Sequence, residues 1–279
     1  MPTTTPARRP SGLVLFFAVT FGTSWASWLL AIWLGGPAMS APVAIPYVFG
    51  AFGPMVGALA VRVRRGRRGE PAPDHVVRLR PKILLWAPLL MALASASVVG
   101  GALIGHELGA PAVTTANAQE LFRMAGGPVP FLISMLLIGP LSEEAGWRGT
   151  AYPRMRATAG RVRAGLVLGA VWGVWHLPLF FINGTVQADL GIDSLSGLLF
   201  ALSFIPMTLL INHAYDRAGT FAAVAVHFAV NTTMVLVGVQ APVAMAYVFT
   251  LEIVLVLALL AAHRPASIPA ARHVDHAAV

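Results

Sequence analysis

The sequence predicts an all-α polytopic membrane protein, a bundle of about eight transmembrane helices with both termini on the cytoplasmic side. Three observations predict it. Of 279 residues, 57% are hydrophobic and only 11% charged, where a soluble domain carries roughly a quarter charged residues. The apolar residues fall into eight runs, each long enough to cross a hydrocarbon core of about 30 Å. Every lysine and arginine except Arg123 lies in the segments 1–12, 62–82, 148–163, 213–219 and 263–279, the termini, alternate connections and adjoining ends of those runs, the bias that orients a membrane protein.

Taken in order, the first run (13–34) follows Arg8 and Arg9. It exceeds the apolar core of a signal peptide, about 7 to 15 residues, and no small-x-small cleavage site follows it, so it reads as a retained first helix. The second run (42–61) ends in the basic, proline-containing loop from Arg62 to Lys82, which serves as an orientation signal or a contact with anionic headgroups. The third run is 83–104. The fourth, 129–151, is the least regular, because Pro140 and the cluster Glu143, Glu144 and Arg148 interrupt it. Runs at 162–181, 195–212, 220–238 and 242–262 complete the bundle. The tail beyond Arg264 is rich in Ala, His and Pro, a composition that does not build a packed core. Three segments follow: helices one to three with the basic loop (1–124), a central segment (125–240), and the last helix with its tail (241–279).

Composition also excludes. No cysteine is present, which removes disulfides, thiolate metal sites and a Cys nucleophile. The net charge of +8 would suit nucleic acid, but the basic residues sit at the ends of apolar spans, so lipid is the partner and nucleic acid is not.

Ionisable side chains at membrane depth are costly and mark function by default. Once the connections are set aside, Glu143, Glu144, Arg148, His176, His227 and Glu252 remain, with Asn231 as an uncharged companion. Counting helical rise from the nearest cytoplasmic basic residue puts Glu143 about 16 Å deep, His176 about 20 Å, His227 about 15 Å and Asn231 about 21 Å. Four polar groups on three helices thus reach one level. Glu144 and Arg148 are spaced i,i+4 and suit an ion pair, as His227 and Asn231 suit a shared partner. Glu143 is turned about 100° from Glu144 and faces elsewhere, towards the bundle interior. Trp172 and His176 repeat the i,i+4 spacing, which would stack the indole under the imidazole. A carboxylate, two imidazoles and an amide donor at one depth can make a general base and an oxyanion site. Each residue alone also has a plainer reading: a hydrogen-bonded packing histidine, a structural ion pair, and for Glu252 an isolated neutral carboxyl; the nearby Trp147, Tyr152 and Trp175 read as interface or packing aromatics.

The motifs Glu143-Glu144-x-x-x-Arg148, Trp172-x-x-x-His176 and His227-x-x-x-Asn231 resemble those of the CPBP family of intramembrane proteases. That family comprises CAAX prenyl endopeptidases and bacteriocin-processing or immunity proteins, also called Abi proteins. The resemblance covers roughly 125–240. It departs at Trp172, where the family has Phe, an aromatic exchange expected to keep the stacking. The resemblance implies an endopeptidase working in a water-filled, cytoplasm-facing cavity on a membrane-associated or C-terminal peptide. Glu143 and His176 would activate water, His227 and Asn231 would hold the oxyanion, and Glu144, Arg148 and Trp172 would support them. Such proteins are often labelled metalloproteases, and Glu143, His176 and His227 could supply three zinc ligands. No His-Glu-x-x-His signature is present, and a carboxylate with a histidine can activate water unaided, so no cofactor is expected. Two other classes compete: a proton-coupled transporter, and a non-catalytic membrane chaperone or immunity protein that keeps the residues for folding. The Ala- and Arg-rich composition points to a bacterial inner membrane.

Overall fold

The computed structural model describes residues 12–70 and 81–262. Arg8, Arg9, the 71–80 part of the basic loop and the tail lie outside them. All regular structure among the described residues is helical. Among the described residues, seven helices are long and apolar enough to cross a membrane, and eight if the bent pair α2 (Ala44–Ala51) and α3 (Gly53–Arg67) counts as one span with a 52° bend.

The exposure pattern is that of a lipid-solvated protein. Val14, Ile45, Leu84 and Leu257 are well exposed, whereas Glu143, Glu144, Arg148, His176 and His227 are buried. Without a hydrophobic drive between helices in lipid, association rests on close packing of small residues and on interhelical hydrogen bonds. The helix α9 (Arg161–Trp175) illustrates the first device. A side chain at Gly169 would stand 2.9 Å from the backbone of Phe204 and Ile205, so α9 lies directly against α11 (Leu195–Ala218). Gly165 and Gly173 continue that contact. In the same way Gly146 meets Pro54 of α3.

Two groups of helices result. α1 (Leu13–Leu34) packs on α2 and α3, while α4 (Ile83–Glu107) packs on α12 (Thr220–Val237) and α13 (Pro242–Ala262). α11 joins α9, α12 and α13. The fourth span, Pro128–Arg156, threads between the groups and touches both α3 and α12 through its middle turn. It extends past the expected end near 151, so Arg148, counted among the cytoplasmic arginines by the sequence, is fully buried. The α-helix of the fifth span stops at Trp175 and continues as a tighter turn, Leu177–Phe181, because Pro178 cannot donate the next helical hydrogen bond. α11 runs to Ala218 rather than 212. Arg123, the one basic residue outside the charge pattern, sits on an additional short helix, α5 (Ala116–Ala125), where it pairs with Glu120.

Candidate active site

The site is organised around a break in the fourth span. α6 (Pro128–Leu136) gives way over Leu137–Leu141 to wider turns, with Ile138 at φ −95°, ψ 63° and Gly139 at φ 157°, ψ −100°. Pro140 lacks the N–H a helix needs and crowds the preceding turn, and Gly139 takes a φ that side-chain-bearing residues rarely adopt. The Ser142 hydroxyl donates to the Gly139 carbonyl at 3.0 Å and secures the kink. The chain then resumes as α7 (Ser142–Gly146), which carries Glu143 and Glu144.

The two glutamates diverge, as one residue of helical rotation requires. Glu143 Oε2 accepts hydrogen bonds from the indoles of Trp172 at 2.7 Å and Trp147 at 3.2 Å. Oε1 takes no such bond among the described residues and faces the space that Gly139 leaves open. A Cβ at Gly139 would stand 3.8 Å from Glu143 Oε1 and 3.8 Å from Asn231 Nδ2. The absence of a side chain at Gly139 therefore leaves a gap beside both a carboxylate oxygen and an amide donor.

Glu144 faces α11 and α12. Its Oε1 accepts from Arg148 Nη1 at 2.9 Å and from His227 Nδ1 at 2.8 Å. Arg148 Nε donates to Asn212 Oδ1 at 3.1 Å, and the guanidinium lies 4.8 Å over the Trp172 ring. His227 Nε2 meets Asn231 Nδ2 at 3.0 Å. With Nδ1–H committed to Glu144, Nε2 is the acceptor, so Asn231 donates one N–H to it and keeps the other free. A continuous polar chain, Asn212–Arg148–Glu144–His227–Asn231, thus ties three spans together. In this arrangement His227 has no spare N–H, whereas the Asn231 it holds keeps one.

His176 closes α9. Its Nδ1 donates to the Trp172 carbonyl at 2.9 Å, which leaves Nε2 as a proton acceptor. The expected stack on Trp172 is not formed: those rings are tilted at 5.9 Å, and His176 stacks instead on Phe204 at 4.2 Å. The change of helix type at His176 turns its ring towards α11. Trp172 supports the site by a different means, a hydrogen bond to Glu143 that the family's phenylalanine cannot make. His176 and Glu143 share no direct hydrogen bond; both are held by Trp172.

Sequence reasoning missed three participants. Trp147 was read as packing, although it lies four residues from Glu143, a spacing that signals contact. Asn212 stands at the end of an apolar run, and an amide there is itself a signal. The opening made by Gly139 left no trace beyond the neighbouring proline.

Trp172, His176, His227 and Asn231 line a cavity of about 450 Å³. Its other end is formed by Asn117, Gln187, Asp189, Gly238 and Gln240, all from the connections that carry no basic residue other than Arg123. None of the arginine-rich connections contributes to it. The cavity lining and the arginine-rich connections thus draw on different connections of the bundle. Among the described residues no three His, Asp or Glu side chains lie close enough to hold an ion. Both nitrogens of His227 are already engaged.

Residues 125–233 match the model of the Rce1-like family, described as Type II CAAX prenyl endopeptidases. The chain is also similar to the CAAX prenyl protease 2 of Methanococcus maripaludis, at 25% identity over 240 residues, 81% of this chain and 84% of the relative. The resemblance read from the three motifs to CAAX-type endopeptidases is borne out; the likeness supports a peptide hydrolase, and the apolar helices a multi-pass membrane protein.

Proposed function

We propose that this Rce1-like intramembrane protease hydrolyses a membrane-associated peptide with Glu143 and His176 activating water and Asn231 binding the oxyanion. The observation that carries the reading is the Gly139 gap, with Glu143 Oε1 and Asn231 Nδ2 both beside it. A water there gives its proton to Glu143 and attacks the peptide carbonyl. The carbonyl oxygen becomes the oxyanion, met by the free N–H of Asn231, a donor of the kind that stabilises such intermediates. Collapse expels the amine, which takes the proton back from the carboxyl. His176 Nε2, unprotonated and in the cavity, shares the water and positions it. Two indoles fix Oε2, so the carboxylate presents one oxygen in one direction. His227 and Glu144 aim Asn231, and Arg148 holds Glu144.

The reaction we propose needs no metal. Protein purified in strong chelator, metal-free by elemental analysis, is expected to cleave an apolar reporter peptide in liposomes. A transporter or a non-catalytic scaffold would cleave nothing. Activity lost on stripping and restored by zinc alone would overturn the metal-free part.

We further place the arginine-rich connections in the cytoplasm, so the cavity opens on the opposite face and its substrates lie there. The charge bias supports this, since it involves every connection at one end of the bundle. The chain has no cysteine of its own, which makes a direct test simple. Thr114 and Thr158 are exposed at opposite ends. In right-side-out vesicles a membrane-impermeant maleimide should label Thr114→Cys at once and Thr158→Cys only after permeabilisation. The reverse order would turn the protein over and make the cavity cytoplasmic.

A further inference from the structure

Glu252 is 2% exposed, sits midway along α13 and lines the same cavity as His176, His227 and Asn231. Counted from the α12–α13 connection, His227 and Glu252 are each ten residues into their helices, about 15 Å from that end. They therefore lie at one level. Among the described residues Glu252 has no hydrogen-bonding or ionic partner. A carboxyl buried without a partner is costly, and within a membrane such a group marks a substrate or ion pathway.

The rest of the cavity says what would meet it. Asp189 adds a second carboxylate near the open end, and no lysine or arginine lines the cavity anywhere. Between the two acids the wall is apolar and adaptable, with Met124, Met135, Met207, Met234 and Met245; methionine fits irregular ligands. A free carboxyl terminus would find no cation inside, whereas an ammonium or guanidinium would find a carboxylate at the depth of the reacting groups.

We infer that Glu252 is a specificity residue that receives a basic side chain of the substrate, an apolar peptide carrying a lysine or arginine near the cleaved bond. This inference rests on the cavity being the peptide site. A hydrogen bond to a charged group is the interaction gained, and its loss is read as a change of about tenfold in affinity.

The test uses full-length protein carrying Glu143→Gln in liposomes, so that binding is measured without turnover. The probes are a six-residue apolar peptide amide with one central lysine and its twin with norleucine. The lysine peptide is expected to bind about tenfold more tightly. Adding Glu252→Gln, which keeps size and shape, should erase the preference. Adding Glu252→Met should reverse it, favouring norleucine. Equal affinities in the Glu252 protein, or a lysine preference that survives Glu252→Gln, would overturn the assignment. Running the same peptides over protein with Glu143 intact separates the two readings. Cleavage of both twins at equal rates rejects the Glu252 role and keeps the protease. Lysine-selective binding without cleavage does the opposite.

Discussion

Glu143→Gln reduces peptide hydrolysis by at least about 10³-fold, as loss of a general base does, while the protein stays inserted and folded. The expectation is sharp because the replacement is nearly silent structurally. The glutamine carbonyl oxygen can still accept from the indoles of Trp172 and Trp147, and an amide fills the space of Oε1. What disappears is the proton acceptor facing the Gly139 gap. His176→Ala should cost a comparable factor, since Nε2 leaves the cavity. Asn231→Ala should cost on the order of 10²–10³ in rate, as for other oxyanion donors. Turnover of a fluorogenic peptide in liposomes, with a thermal melt of each variant, measures all three. Full activity in Glu143→Gln would remove the base from the mechanism.

The second large effect falls on stability. Arg148→Ala leaves Glu144 with no exposure and with one of its two hydrogen-bonding partners gone. It also uncovers Asn212 Oδ1 and the Trp172 face. Removing one member of a buried pair costs roughly 3–5 kcal/mol, because the other charge is stranded. Arg148→Ala should therefore melt well below wild type in detergent. Arg148→Met combined with Glu144→Gln should recover much of the loss, since replacing both charges by groups of similar volume is often neutral. Activity should not return with stability, because the His227 imidazole loses the carboxylate that orients it. A melt unchanged in Arg148→Ala would show that the pair carries no weight in the fold.

What could be read from the chain divides along physical lines. Spans were legible because lipid imposes a length and an apolar composition on each one. The polar quartet was legible because charges do not enter membranes idly. The bend between α2 and α3 was not. It depends on a close fit, with Gly53 set against Ser24 and Thr20 of α1, and hydropathy carries no record of such contacts. α5 escaped because ten residues of mixed polarity resemble a loop. Pro140 announced a break but not its form, which Gly139 determines. The pairing of Glu144 with Arg148 followed from spacing, whereas the third partner, His227, comes from another helix and emerges only when α7 and α12 meet. The residues lining the far part of the cavity were hidden for a similar reason: they come from connections that approach one another only in the fold, and none of them bears a motif.

The broken fourth span has a consequence for biogenesis. It is the least apolar of the seven candidate spans, and it holds Glu143, Glu144 and Arg148 where lipid tolerates them poorly. Emerging alone from the ribosome, it is a marginal membrane segment. Arg148 and Glu144 can pair within the span, but Glu144's second partner and Arg148's other contact, His227 and Asn212, lie on helices synthesised later. Its buried charges have their full set of partners only when those helices arrive and complete the polar chain. Completing the hydrogen bonding of the fourth span and assembling the polar chain are thus coupled. A nascent chain cut short before residue 227 should be treated by the cell's membrane quality control as an orphan.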